Sequence, residues 1–99
     1  MKFIATWSIP QDKWLPILKK FVSLSPQEQK NAGDGATIIG RWHDVGARKG
    51  VVIFESNSVA SVERYLGQWN AYCDIEIAPA LDDEEATVVC RQILADQGA

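Results

Sequence analysis

Residues 2–9, KFIATWSI, alternate: Phe3, Ala5, Trp7 and Ile9 point one way, and Lys2, Ile4, Thr6 and Ser8 the other. A period of two with one strongly apolar side predicts a strand, which Pro10 ends. The period then changes. Trp14, Leu15, Ile17, Leu18, Phe21 and Val22 make a broad apolar stripe at helical spacing over 13–24. Pro16 belongs in the first turn of that helix, and Asp12 is a candidate N-cap. Ser25-Pro26-Gln27-Glu28 reads as a second capping box, opening a short helical segment that ends near Asn31. AGDGA, 32–36, is a loop by composition.

Two more apolar runs follow, TIIGRWHDV at 37–45 and VVIFES at 51–56. The glycine-flanked GARKG between them predicts a hairpin, so these strands are antiparallel. Ser58 caps a helix carrying Val59, Val62, Leu66 and Trp69 at three- and four-residue spacing, with Tyr65 beside them. DIEIA, 74–78, alternates again, and Pro79 ends that strand or lies at a sheet edge. Asp82-x-x-Glu85 opens a last helix over 83–95 with a stripe of Ala86, Val89, Cys90 and Ile93. Its acidic start complements the helix dipole, and 96–99 is expected to fray. The order βαββαβ with an extra C-terminal helix predicts a ferredoxin-like α+β sandwich, a four-stranded antiparallel sheet with its two main helices on one face.

Strict alternation assigns the faces. Phe3, Ala5, Trp7, Ile38, Gly40, Trp42, Val52, Phe54, Ile75 and Ile77 are expected under the helices. The other face holds Ile4, Thr6, Ser8, Ile39, Arg41, His43, Val51, Ile53, Glu55, Glu76 and Ala78. That second face is too apolar for water and too polar for plain core. A second copy packed on it through a two-fold axis, leaving a partly polar space between the sheets, would satisfy both. Arg41, His43, Thr6, Ser8 and Glu55 are therefore the candidate ligand-binding residues. His43, the only histidine, titrates in the range of acid–base work. It can equally be a hydrogen-bonded sheet residue, and Arg41 a guanidinium paired with carboxylates. Trp7, Trp14, Trp42 and Trp69 are placed in the helix–sheet core.

Composition narrows the classes of function. With 99 residues the chain has the length of one small domain, 1–99. Its net charge of −3 comes without a basic stripe, so no nucleic-acid partner is expected. No apolar run suits a signal peptide or a membrane span, which implies a cytoplasmic protein with no membrane partner. Cys73 and Cys90 lack CxxC spacing, and one histidine cannot complete a zinc set with them. Two free thiols, at least one buried, are expected, with no metal and no cofactor. No nucleophile stands at motif spacing from an activating partner, and there is no phosphate loop. No catalytic residue is assigned.

KFIATWSI, IIGRWHD, the GARKG hairpin, VVIFESNS, QWN and DIEIAPALDDEEA together resemble a family of small bacterial proteins, domain of unknown function number three-three-zero-three. The linker at 25–35 is longer than the family pattern. The resemblance implies the dimeric α/β-barrel superfamily and a ferredoxin-like protomer, but no activity. That superfamily also contains cofactor-independent oxygenases, haem-degrading enzymes and stress-responsive barrel proteins. Three functions stay open: a homodimer enclosing a small-molecule pocket, an oxygenase- or isomerase-like enzyme using His43 and Arg41, and a purely structural or interaction module.

Overall fold

The computed structural model describes residues 1–99. The strands are β1 (Lys2–Ser8), β2 (Ala36–Asp44), β3 (Lys49–Ser56) and β4 (Asp74–Ala80), and they form one antiparallel sheet in the order β2-β3-β1-β4. The helices are α1 (Trp14–Ser23), α2 (Pro26–Lys30), α3 (Val59–Gly67) and α4 (Asp83–Asp96), with a 3-10 turn at Gln11–Lys13. Each βαβ unit leaves room for a strand of the other between its own pair. This interlock is the ferredoxin-like α+β fold expected from the order of elements.

Most boundaries fall within a residue or two of the periodicity. The Ser25 and Asp82 capping boxes both form, with Glu28 and Glu85 returning the second hydrogen bond. Ser58 caps α3 by accepting from the Ser61 amide. Asp12 does not cap α1; it lies in the 3-10 turn that precedes the helix. Pro79 stays within β4, where the edge of the sheet tolerates its missing N–H. The C-terminus does not fray: Gly98 takes a left-handed φ of 72°, and the Gly98 and Ala99 amides bond back to Ala95 and Leu94. That pattern is a Schellman cap.

Phe3, Ala5, Val52 and Phe54 from the sheet meet Val62, Tyr65 and Leu66 of α3 in the main core. A smaller cluster of Ile9, Ile17 and Cys73 lies toward the other end. Trp7 touches both clusters. Within the α1 stripe only Ile17 is buried, and Leu15 and Val22 face outward. None of α4 is buried, and Ile93 and Leu94 are 52% and 53% exposed. The radius of gyration is 16.3 Å, against about 13 Å for a compact chain of this length. The excess reflects α4 projecting as an arm.

One correction reorganises the sheet. The β2–β3 register shifts between Ile38 and Gly40, a β-bulge that inserts Ile39. Ile38 pairs with Phe54 and so keeps the helix side. Beyond the bulge Arg41 pairs with Val52, Trp42 with Val51 and His43 with Gly50. Since paired residues share a face, Arg41 and His43 lie under the helices, while Gly40 and Trp42 lie on the open face. This is the reverse of the strict alternation. Trp42 is 59% exposed and is not core.

The hairpin glycines also divide differently from the sequence reading. The left-handed position of the turn belongs to Arg48, at φ 56°, rather than to a glycine. Gly50 lies in β3, where a Cβ would come within 2.2 Å of the Trp7 ring and 2.6 Å of the Trp42 carbonyl oxygen. Gly50→Ala should destabilise the fold by about 1–3 kcal/mol in denaturant titration, because neither backbone nor packed indole can yield freely. Gly46→Ala, with open space at its Cβ, should show no such loss.

Candidate functional site

Between the two core clusters the sheet and helices leave a cavity of about 100 Å³. Its wall is largely apolar and includes five aromatic side chains: Trp7 from β1, Trp14 and Phe21 from α1, Tyr65 from α3 and Trp69 from the turn after it. Arg41, His43 and Arg48 supply most of its polarity. Strand geometry explains the placement. The bulge turns Arg41 and His43 toward α1, and Gly50 lets Trp7 lie flat beside them.

The Arg41 guanidinium is braced on three sides. Its Nη1 donates to the Gln29 carbonyl at 2.8 Å and its Nη2 to the Tyr65 hydroxyl at 2.6 Å. The Phe21 ring lies 5.7 Å from its carbon centre, a cation–π distance. One side chain thereby ties β2 to α2 and α3. The carboxylate partners expected for Arg41 are not there; no Asp or Glu lies within ion-pair distance of it. Arg48 donates from Nε to the Ile9 carbonyl at 3.2 Å and likewise meets no carboxylate.

His43 stands edge-on to Trp7 at 5.4 Å and tilted on Phe21 at 5.1 Å between ring centres. Desolvation by this packing, and secondarily the nearby Arg41 charge, lower its pKa below the usual 6.5. It is therefore neutral at pH 7, with a ring nitrogen able to accept a proton or a hydrogen bond. Cys73, at the cavity floor, is pushed up to about 11, first by burial and then by the Asp74 charge. A thiol held protonated is a poor nucleophile. Both cysteines are free, Cys73 buried and Cys90 exposed on α4.

The five candidate residues separate into three places. Arg41 and His43 meet on the cavity wall. Thr6 and Ser8 lie on the opposite face of the sheet, along an open trough with Trp42, Val51 and Glu76 whose rim His43 also reaches. Glu55 belongs to neither. Its carboxylate accepts from the N-terminal ammonium at 2.8 Å and lies 3.4 Å from Lys2 Nζ. The hydrogen bond from the ammonium is the main reason its pKa is lowered. Along β3 it is five residues from the partner of His43, about 17 Å away at strand spacing. Alternation missed Tyr65, Gln29, Phe21 and Arg48 as neighbours of the site. Tyr65 alone had a signal, a phenol beside a helical stripe, which needs a partner when buried.

Fold and site together describe a ferredoxin-like α+β protein with an aromatic cavity on the helix side of its sheet. The chain belongs to the family "Domain of unknown function (DUF3303)", whose model matches residues 1–94. No curated protein matches the sequence. Among solved structures, that of Rv0793 from Mycobacterium tuberculosis aligns with 83% of this chain and 96% of its own, at 11% identity and a TM-score of 0.44. No helix is long and apolar enough to cross a membrane.

Titration of the single imidazole by NMR tests the electrostatics of the site. Its midpoint should fall below 6.5, and Arg41→Met should return part of the shift, since desolvation is the larger cause. Stability follows the same group. The unfolded chain binds this proton more readily than the folded one, so stability declines as pH falls through the range just below 6.5. A midpoint at or above 6.5 would contradict the packing of His43 on Trp7 and Phe21.

Proposed function

We propose that this protein binds a small molecule in the cavity between its sheet and α1, α3 and the Trp69 turn. The observation that carries the reading is the lining: aromatic walls with a braced guanidinium and a neutral imidazole at one end. Apolar walls with a few fixed polar groups are the usual composition of ligand sites. Arg41 and His43 keep their place among the ligand-binding residues, now on the helix side of the sheet. The cavity lies within one protomer, not between two sheets, so Thr6, Ser8 and Glu55 have no part in it.

The protomer also fits a homodimer of the dimeric α/β-barrel type. Ile4, Ile39, Val51, Ile53 and Trp42 share the face that no helix of the chain covers, and Ile39 and Trp42 are 56% and 59% exposed. A two-fold axis through that face would set the same patch against itself. The unburied apolar residues of α4 ask for cover of the same origin. Such a dimer is compatible with a cytoplasmic accessory role in a bacterium. A second reading is enzymatic. A neutral His43 beside a cation is suited to take a proton from a substrate whose anion Arg41 then stabilises, as in cofactor-independent oxygenase or isomerase chemistry.

Three measurements separate these readings. A single-ring probe, neutral benzamide or anionic benzoate, should perturb the His43 imidazole resonances and quench tryptophan fluorescence, because Trp7, Trp14 and Trp69 line the cavity; silence of both probes in both signals sinks the ligand-site reading. Light scattering should give twice the protomer mass at micromolar concentration, and Trp42→Glu should reduce it to the monomer without unfolding. For the enzymatic reading, the pH profile of any turnover must follow His43 and vanish in His43→Gln.

A further inference from the structure

The polar end of the cavity is unbalanced in charge. Arg41, Arg48 and Lys49 contribute to its wall against one carboxylate, Asp44, and every ion pair in the protein lies elsewhere, at Met1 and Lys2. A half-buried guanidinium held against an aromatic ring with no carboxylate partner leaves its charge available to an anion that enters the cavity. Its neutral partners do not quench it: the Gln29 carbonyl and the Tyr65 hydroxyl occupy one N–H on each Nη, and the remaining N–H groups are free to donate. Tyr65 adds to the imbalance. Its oxygen accepts from Arg41, so its own proton, which bonds to no protein acceptor, is free to donate in turn. His43 cannot act as the counter-ion, being neutral or cationic but never anionic. The Asp44 carboxylate accepts from the Ala47 amide in the hairpin turn and makes no ion pair with Arg41 or Arg48.

We propose that the ligand of this cavity is an organic monoanion: an apolar body of about one ring bearing a carboxylate or enolate-type oxygen that docks on Arg41 and Tyr65. The inference rests on the cavity being a ligand site and adds the chemical class. The size follows from the volume. About 100 Å³ is somewhat less than the ~150 Å³ engineered cavity that holds benzene. One ring can enter among Trp7, Phe21 and Trp69 if its charged end lies against Arg41 and Tyr65. Charge-assisted bonds to a guanidinium are the strong kind and set orientation as well as affinity.

The test compares benzoate with benzamide, which has the same shape and no charge, on the wild-type protein at pH 7.5 and low salt. Benzoate should bind at least tenfold more tightly, and the preference should shrink as salt rises. Bound benzoate should also raise the pKa of His43, by setting a negative charge against the Arg41 field, whereas benzamide should not. The other ionisable groups lining the cavity with His43 are Arg41, Asp44, Arg48, Lys49, Tyr65 and Cys73; they are common to both complexes, so a difference between the probes reports the charge of the ligand. Arg41→Met should abolish the preference, bringing the affinity for benzoate down to that for benzamide measured on the same variant. If Arg41→Met fails to fold, the wild-type benzoate-to-benzamide ratio and the His43 shift decide alone. Equal binding of the two probes overturns the anion assignment and leaves a neutral ligand site standing. Binding of neither overturns the ligand-site reading with it.

Discussion

A single inserted residue in β2 decides what this protein's sheet can do. Side chains on a strand alternate, so the bulge at Ile39 exchanges the faces of everything beyond it. Arg41 and His43 reach the helices only because of that exchange, and Trp42 reaches the open face for the same reason. The rest of the site is arranged around the outcome. Gly40 carries no Cβ because one would lie 2.4 Å from the Trp42 ring, and Gly50 none because Trp7 occupies the equivalent space on the other side. Arg41, once turned inward, holds α2 through Gln29 and α3 through Tyr65.

The electrostatics follow from the packing. No carboxylate of this acidic chain lies within ion-pair distance of the Arg41 guanidinium. Burial and a neighbouring cation both act to hold His43 neutral, and burial alone is the main force holding Cys73 protonated. The cavity lining therefore carries more cations than carboxylates: Arg41, Arg48 and Lys49 against Asp44, with no ion pair among them. Lys20 closes the neighbouring surface: its ammonium donates to the Gln68 carbonyl and lies 4.5 Å from the Trp69 ring and 4.9 Å from that of Tyr72. That contact fixes Trp69, one wall of the cavity, to α1.

The fold was legible because its signals are local and repeated. Period-two runs, two capping boxes and a glycine-flanked hairpin each mark an element independently, and together they admit one familiar order. The site was legible only in part. Arg41 and His43 stood out as polar residues in an apolar strand, but their face was read from an alternation that a bulge interrupts, and no residue type announces a bulge in IIGRW. Arg48 in a left-handed turn carries no signal either, since glycine or asparagine is the usual occupant. Leu15, Val22 and the α4 residues were misjudged in the other direction. Helical periodicity shows that a stripe exists, not that the same chain covers it.

The arm built by α4 has a consequence for how the protein should be handled in solution. A helix of 14 residues is near the length at which an isolated helix is only marginal in water. Here it has a capping box at its start and a glycine cap at its end, but no apolar floor of its own. Its helicity is therefore the part of the secondary structure most coupled to whatever the arm lies against, and in the proposed homodimer dilution would act on it before it acts on the sheet. A protease that cuts at Ala80–Leu81, where β4 gives way to the arm, would report the same coupling as a rate that depends on protein concentration.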